Sequence, residues 1–190
     1  MRARKPLVGL AALLATGCVA HAPPRGAGVR VEIELFLVTL GPGDSVRYIR
    51  KTAPLGGGAN PDDIVRALRR PNPADAFAIP TPTLVHSTSW RWEPHGGLVL
   101  TYLAFGDEVR PGAGEPHELR RDELVGSGPT RPLRPRPDVI REVHVLTHAL
   151  RHIALLLSRP GEDALRARFA PRSLAFFRGL QPEPAGMLRR

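Results

Sequence analysis

Apolar and polar positions alternate along residues 29–40, as in a β-strand with one buried face. Odd positions up to 37 carry valine, isoleucine or leucine, and arginine or glutamate stands between them, a period of two that marks a strand. From Phe36 onward the second face is apolar too, which predicts that the strand enters a region covered on both sides. A glycine-proline turn at residues 41–44 and a return strand over residues 45–51 complete a first predicted hairpin.

A second hairpin is predicted over residues 84–105. Its arms, residues 84–93 and 98–105, are rich in β-branched and aromatic residues and flank a Pro-His-Gly-Gly turn, which is typical of paired strands. Strict alternation puts Trp90 and Trp92 on one face together with a histidine and a threonine. The opposite face carries two serines and an arginine and is predicted to be solvated.

Helical signals follow each hairpin. A glycine-rich loop over residues 53–61 leads into a short helix across residues 62–70, with Asn60 or Asp62 as its cap. A longer helix is predicted from Asp138 to Ser158, where apolar residues recur at helical spacing. Two shorter helices follow it, near residues 162–169 and 171–179.

These elements predict a single α+β domain over residues 29–180. The sheet is expected to be antiparallel, with four or five strands contributed by two hairpins, and to pack against the long C-terminal helix and the two short ones. Residues 106–137, charged and rich in proline, are predicted to form a long loop. The tail over residues 181–190 is predicted to fray.

The first seventeen residues have the layout of a secretory signal peptide. Three positive charges precede an uncharged apolar stretch over residues 6–17, and its length of about 18 Å as a helix is too short for a hydrocarbon core of about 30 Å. The stretch ends in Ala15-Thr16-Gly17-Cys18, which resembles the bacterial lipobox.

The resemblance implies a bacterial lipoprotein of an uncharacterised family. Residues 1–17 would be removed, Cys18 would carry the lipid, and residues 18–28 would tether the domain to a membrane of the cell envelope outside the cytoplasm. Several acyl chains on one residue give stable anchoring. The alternatives are an ordinary core helix with a chance cysteine, or a start codon assigned at the wrong place.

Composition adds two constraints. The 190 residues include 27 basic and 18 acidic ones, but nearly all the basic residues are arginine, and the abundance of alanine, glycine and proline indicates a GC-rich genome rather than nucleic-acid binding. A basic face can still rest against anionic lipid or wall polymer. The chain has one cysteine, so no intramolecular disulfide is possible and the core must stabilise the fold.

The segment His86–Trp92 combines a histidine, three hydroxyls, an arginine and two tryptophans. One interpretation is a ligand site, in which Trp90 and Trp92 stack on a planar ligand and Arg91 binds an anionic group. The favoured interpretation is structural, with both tryptophans in the core, because tryptophan pairs at strand spacing are mostly buried.

Three histidines recur at four-residue spacing on the predicted long helix. His144, His148 and His152 form one stripe, and two histidines at i and i+4 can hold one zinc or copper ion. A metal would need a further ligand, such as His86 or a carboxylate, and no H-E-x-x-H pattern occurs. Because the stripe lies opposite the apolar face, it is predicted to be solvated or covered by the loop over residues 106–137. No metal and no cofactor is predicted.

A glycine loop before a helix can hold phosphate through its backbone amides, but Gly56–Gly58 lack the Lys-Ser/Thr of a P-loop. The order of hairpin, glycine loop, short helix and second hairpin resembles that of a Nudix domain over about half of the chain. That resemblance implies a helix whose glutamates hold magnesium, but residues 62–70 carry arginines where those carboxylates belong. The likeness therefore extends to a scaffold and not to Nudix catalysis.

The predicted function is that of a non-enzymatic envelope lipoprotein that binds a partner or ligand, such as an anionic envelope ligand or an envelope protein. The alternative is a hydrolase acting on an anionic substrate, with His86, Arg91, Tyr102 and His148 as candidate catalytic residues beside the other helix histidines. No G-x-S-x-G nucleophile motif occurs. The two hypotheses predict different positions for these side chains, because an enzyme needs them together in one concave pocket.

Overall fold

A computed structural model of the chain describes residues 29–93, 96–124 and 140–185. The predicted signal peptide, Cys18 and the tether lie outside the described residues, as do the cap at Asp138 and much of the predicted proline-rich loop. Within the described ranges, no helix has both the length and the apolar character needed to cross a membrane.

Seven strands and four helices make up the described part of the fold. The strands are β1 (Arg30–Leu40), β2 (Ser45–Leu55), β3 (Phe77–Ala78), β4 (Leu84–Trp92), β5 (Gly97–Phe105), β6 (Arg110–Pro111) and β7 (His117–Arg120). The helices are α1 (Pro61–Leu68), α2 (Glu142–Ser158), α3 (Asp163–Arg166) and α4 (Pro171–Arg178). The α+β class predicted from the sequence is confirmed.

The main sheet has the strand order β4-β5-β1-β2-β7. β1 pairs with β2 and β4 pairs with β5 in antiparallel fashion, but β1 runs parallel to β5, from Arg30 opposite Gly97 to Val38 opposite Phe105. The prediction of an antiparallel sheet is therefore wrong. The β4–β5 pair joins the sheet on the free side of β1, and this brings β5 alongside β1 in the same direction.

Two core layers cover the two faces of this sheet. One face packs against α2 and α4 through residues such as Phe36, Leu103 and Phe177. The other face packs against α1 and the β3 region through residues such as Leu35 and Phe77. β1 contributes to both layers, in agreement with the apolar character of both its faces.

A β-bulge at Thr88 changes the phase of alternation midway along β4. His86, before the bulge, lies opposite Leu103 of the α2-side core, whereas Trp90, after it, lies opposite Leu100 on the α1 side. Since residues directly opposite in an antiparallel pair share a face, His86 and Trp90 point to different sides of the sheet. The prediction that they share a face is wrong.

The prediction that the two tryptophans are core is also wrong. Trp90 is 53% exposed and Trp92 is 50% exposed. The physical reason is the position of α1, which packs over β1 and β2 rather than over the edge strand β4.

Two segments predicted as irregular contain ordered structure. The predicted loop over residues 106–137 includes β6, paired with β3, and β7, paired with β2. The predicted frayed tail begins with a segment that packs on α2, where the Glu183 backbone N–H donates a hydrogen bond to the Arg151 carbonyl oxygen at 3.1 Å. Glu183 itself is buried.

Candidate functional site

Trp90 and Trp92 form an exposed aromatic pair, here called the tryptophan face. Two residues along a strand span about 7 Å, and side chains at that spacing project from the same side. The partners opposite them on β5 are Leu100 and Leu98, which are themselves half-buried. The result is an apolar strip along the outermost strand of the sheet.

On the other face of the sheet, Glu34 of β1 is 1% exposed and forms the centre of a buried ion cluster. Arg91 donates from its two terminal nitrogens to the two carboxylate oxygens at 2.7 and 3.0 Å, and Arg50 Nε donates to Oε1 at 2.7 Å. The Thr101 hydroxyl donates to Oε2 at 3.0 Å. Although burial opposes ionisation, these hydrogen bonds and charges hold the pKa of Glu34 below its ordinary value.

A cavity of about 230 Å³ lies between this cluster and the first turn of α2. Arg50 and Arg91 line it together with Glu142 and Trp92, and a second cavity of about 310 Å³ shares both arginines. Both guanidinium groups bind Glu34, and Arg91 also binds Glu93 at 2.8 Å. The positive charge of both arginines is therefore largely neutralised within the protein. We expect the cavity to have low affinity for an anionic ligand.

The helix histidines are buried, so the prediction of a solvated stripe is wrong, whereas the predicted covering loop over residues 106–137 lies partly outside the described residues. His144, His148 and His152 all lie in the interior, with His148 2% and His152 4% exposed. The reason is the segment around Glu183, which packs over this side of α2, and the proximity of His86 from β4.

The histidines make specific contacts in this interior. His148 Nδ1 lies 3.1 Å from Glu183 Oε2, and Arg151 donates to the other carboxylate oxygen at 3.2 Å. His152 Nδ1 lies 3.2 Å from the Glu183 carbonyl oxygen, and its Nε2 lies 3.2 Å from His86 Nε2. Burial lowers the pKa of both His86 and His152, because the imidazolium form loses its hydration.

His144 has a different role at the start of the helix. The backbone N–H of Arg141 donates to His144 Nδ1 at 3.2 Å. This contact supplies a partner to one of the backbone groups that a helix end leaves unsatisfied.

The predicted catalytic residues lie in three places. Arg91 lines the cavity beside Glu34, whereas His86 and His148 belong to the histidine cluster. Tyr102 packs on the α1 side of the sheet, opposite Ser87, and burial raises the pKa of its hydroxyl. These side chains do not meet in one of the described cavities.

Sequence reasoning missed two residues that organise these clusters. Glu34 is one of the charged residues that alternate with apolar ones along β1, and its burial depends on arginines from β2 and β4. Glu183 lies in a Pro-Glu-Pro sequence, and the fixed backbone of its flanking prolines was a signal that this tail segment could be held in one place.

Sequence comparisons match this chain to no protein family and to no curated protein.

Proposed function

We propose that this protein is a lipid-anchored binding domain of the bacterial cell envelope, that it is not an enzyme, and that it binds a carbohydrate on the tryptophan face. The observation that carries the proposal is the half-exposure of both tryptophans on one side of an edge strand. Burying apolar surface stabilises a protein by about 25 cal/mol per Å². Two large aromatic side chains left in water forgo that stabilisation, and such patches mark interaction sites.

The charges around the tryptophan face favour a neutral ligand. Arg91 lies next to both tryptophans in sequence, but it points to the other side of the sheet and is bound to Glu34 and Glu93. This argues against the anionic ligand expected from the sequence. A sugar ring fits better, because one side of a pyranose presents C–H groups to an aromatic ring while its hydroxyls remain hydrated, and each indole N–H supplies a donor.

The separation of the candidate catalytic residues supports binding over hydrolysis. Arg91, Tyr102 and His148 are distributed over two faces of the sheet and the interior beside α2. A hydrolase needs its acid, base and electrostatic groups around one reacting bond.

The envelope location is supported by the lipobox-like sequence at Cys18. A domain held at a membrane outside the cytoplasm is close to envelope polysaccharides. A tethered domain also meets a nearby polymer at a high effective concentration, so weak binding at a single surface is sufficient.

Intrinsic fluorescence tests this proposal directly, since the chain has two tryptophans and both belong to the proposed site. The mature chain is titrated with an N-acetylglucosamine tetramer and, separately, sedimented with insoluble wall glycan. We expect a saturable change in tryptophan emission and co-sedimentation. Trp90→Ala and Trp92→Ala should each weaken sedimentation at least tenfold.

The matched control is Ser87→Ala, an exposed change on the same face and strand, which should leave binding intact. Because both tryptophans are half-exposed, their alanine variants should stay folded, and circular dichroism confirms this. A double variant that still sediments like the wild type, or a wild type without a saturable response to the neutral glycan, contradicts the proposal.

A further inference from the structure

We infer that His86 and His152 form a binding site for a divalent transition-metal ion such as zinc. The two Nε2 atoms are 3.2 Å apart. The ring centroids are 5.2 Å apart with 21° between the ring planes, so the imidazoles meet at their Nε2 edges rather than face to face. The inference is independent of glycan binding, because these histidines and the tryptophan face lie on opposite sides of the sheet.

The contacts of His152 leave its Nε2 with a free lone pair. Its Nδ1 lies 3.2 Å from the carbonyl oxygen of Glu183, and a carbonyl oxygen can only accept. The proton of the neutral ring is therefore on Nδ1, and Nε2 is the unprotonated nitrogen. Histidines that bind metals have this arrangement, with the second nitrogen donating to a carbonyl or carboxylate.

The spacing of the two nitrogens suits tetrahedral coordination. Two Zn–N bonds of about 2.0–2.1 Å at the tetrahedral angle put the nitrogens about 3.3–3.4 Å apart. The observed 3.2 Å needs a shift of only a few tenths of an ångström. A direct N–H···N hydrogen bond from His86 to His152 has a similar length, so the experiment must separate the two arrangements.

The surroundings fit a site with two protein ligands and open positions. His152 is buried, whereas His86 is partly exposed, which gives an ion access from the β4 side. Within the described ranges, no three histidine, cysteine or acidic side chains come together around a metal position. Two histidines leave two tetrahedral positions for water, one more than zinc sites with three protein ligands leave open.

His148, one turn before His152, shares part of this arrangement. Its Nδ1 contacts the Glu183 carboxylate, and its Nε2 is buried without a hydrogen-bond partner among the described residues. Buried polar atoms are nearly always satisfied. Two successive histidines on α2 thus have Nδ1 held by Glu183 and Nε2 left to accept a ligand, although only the Nε2 of His152 meets a second imidazole.

Zinc titration of the mature full-length chain tests the site, with calorimetry for stoichiometry and thermal unfolding for stability. We expect one ion per chain. Zinc at a hundredfold excess over its Kd should raise Tm by about 5–10 °C relative to the protein in chelator. His86→Ala should lower the affinity for zinc at least tenfold, and because His86 is only partly buried this variant should remain folded.

His86→Phe is a second variant that keeps an aromatic ring in place but removes the ligand, and it should lose zinc binding as well. The matched control is His117→Ala, which removes an exposed histidine of β7 and should keep the full response. A wild type that neither binds zinc nor gains stability from it overturns the inference. So does a His86→Ala variant that binds zinc as tightly as the wild type, because the ion is then held elsewhere.

Discussion

Glu34 lies on the side of β1 where arginine and glutamate interrupt the apolar pattern, yet it is almost completely buried. Its environment is formed by Arg50 from β2, Arg91 from β4 and Thr101 from β5. The alternation of polar and apolar residues indicates which face of β1 carries Glu34. The burial of Glu34 depends on side chains that are distant in sequence. A local pattern carries no information on such partners.

Glu34→Gln should lower the free energy of unfolding by about 3–5 kcal/mol at pH 7, because it leaves the largely buried guanidinium of Arg91, and the more exposed one of Arg50, without their carboxylate. The pKa of Glu34 in the folded state is below the ordinary value of 4.5. The stabilisation is therefore complete above the unfolded-state pKa and is lost as the pH falls through the lower folded-state pKa. Urea unfolding at pH 7 and at pH 3 measures both effects.

Asp63→Asn is the control, since Asp63 pairs with Arg66 on the exposed surface of α1, and it should change stability by no more than about 0.5 kcal/mol. The difference in the free energy of unfolding between wild type and Glu34→Gln should be smaller at pH 3 than at pH 7. An equal gap at both pH values would show that the carboxylate charge is not the source of the stability.

The tryptophans show a different limit of residue patterns. Their type and spacing predicted core, but the bulge at Thr88 and the position of α1 decide which side they face and whether that side is covered. A bulge adds one residue without a distinctive sequence. The candidate binding surface therefore became recognisable only from the three-dimensional arrangement.

At the scale of elements, α2 differs most from its predicted environment. Its apolar positions predicted one buried face, but the histidine side is buried too because residues 181–185 pack along it. Periodicity and turn residues are local signals, and they gave no indication of the short strands β3, β6 and β7. Which segment packs on each face of a helix depends on the tertiary structure, and local sequence patterns do not indicate it.

His148→Ala should lower the free energy of unfolding by about 2–4 kcal/mol, because it empties a buried site and removes one partner of the Glu183 carboxylate. Chemical denaturation measures the loss. Arg178→Ala on the exposed side of α4 is the reference and should stay within about 0.5 kcal/mol of wild type. If His148→Ala lowered the free energy of unfolding no more than Arg178→Ala does, the C-terminal segment would not be packed on α2 in solution.

At the scale of the whole molecule, the α+β class followed from the kinds of elements, whereas the strand order did not. Neighbouring strands in sequence commonly form hairpins, and this rule led to an antiparallel sheet. The parallel pairing of β1 with β5 joins strands separated by β2, α1, β3 and β4. No turn residue or local period indicates such a contact.

The proposed membrane attachment depends on lipid at Cys18, so on this proposal Cys18→Ser should release the protein from the membrane fraction. Metabolic labelling with a palmitate analogue should mark the wild type and not the variant, because a thiol is needed for the thioether. Cell fractionation gives a second readout. Equal labelling of the two proteins would exclude lipidation at this residue.

The parallel contact between β1 and β5 also limits how early the main sheet can be completed. From Phe36 onward β1 is apolar on both faces, and the strand lies at the centre of the sheet, but one of its two neighbours starts at Gly97. A nascent chain that ends before Gly97 can form only part of the sheet, and one edge of β1 then has no partner strand. Pairing between strands that are distant in sequence is also slow to form. We therefore expect chains truncated before β5 to aggregate more readily than the full-length protein.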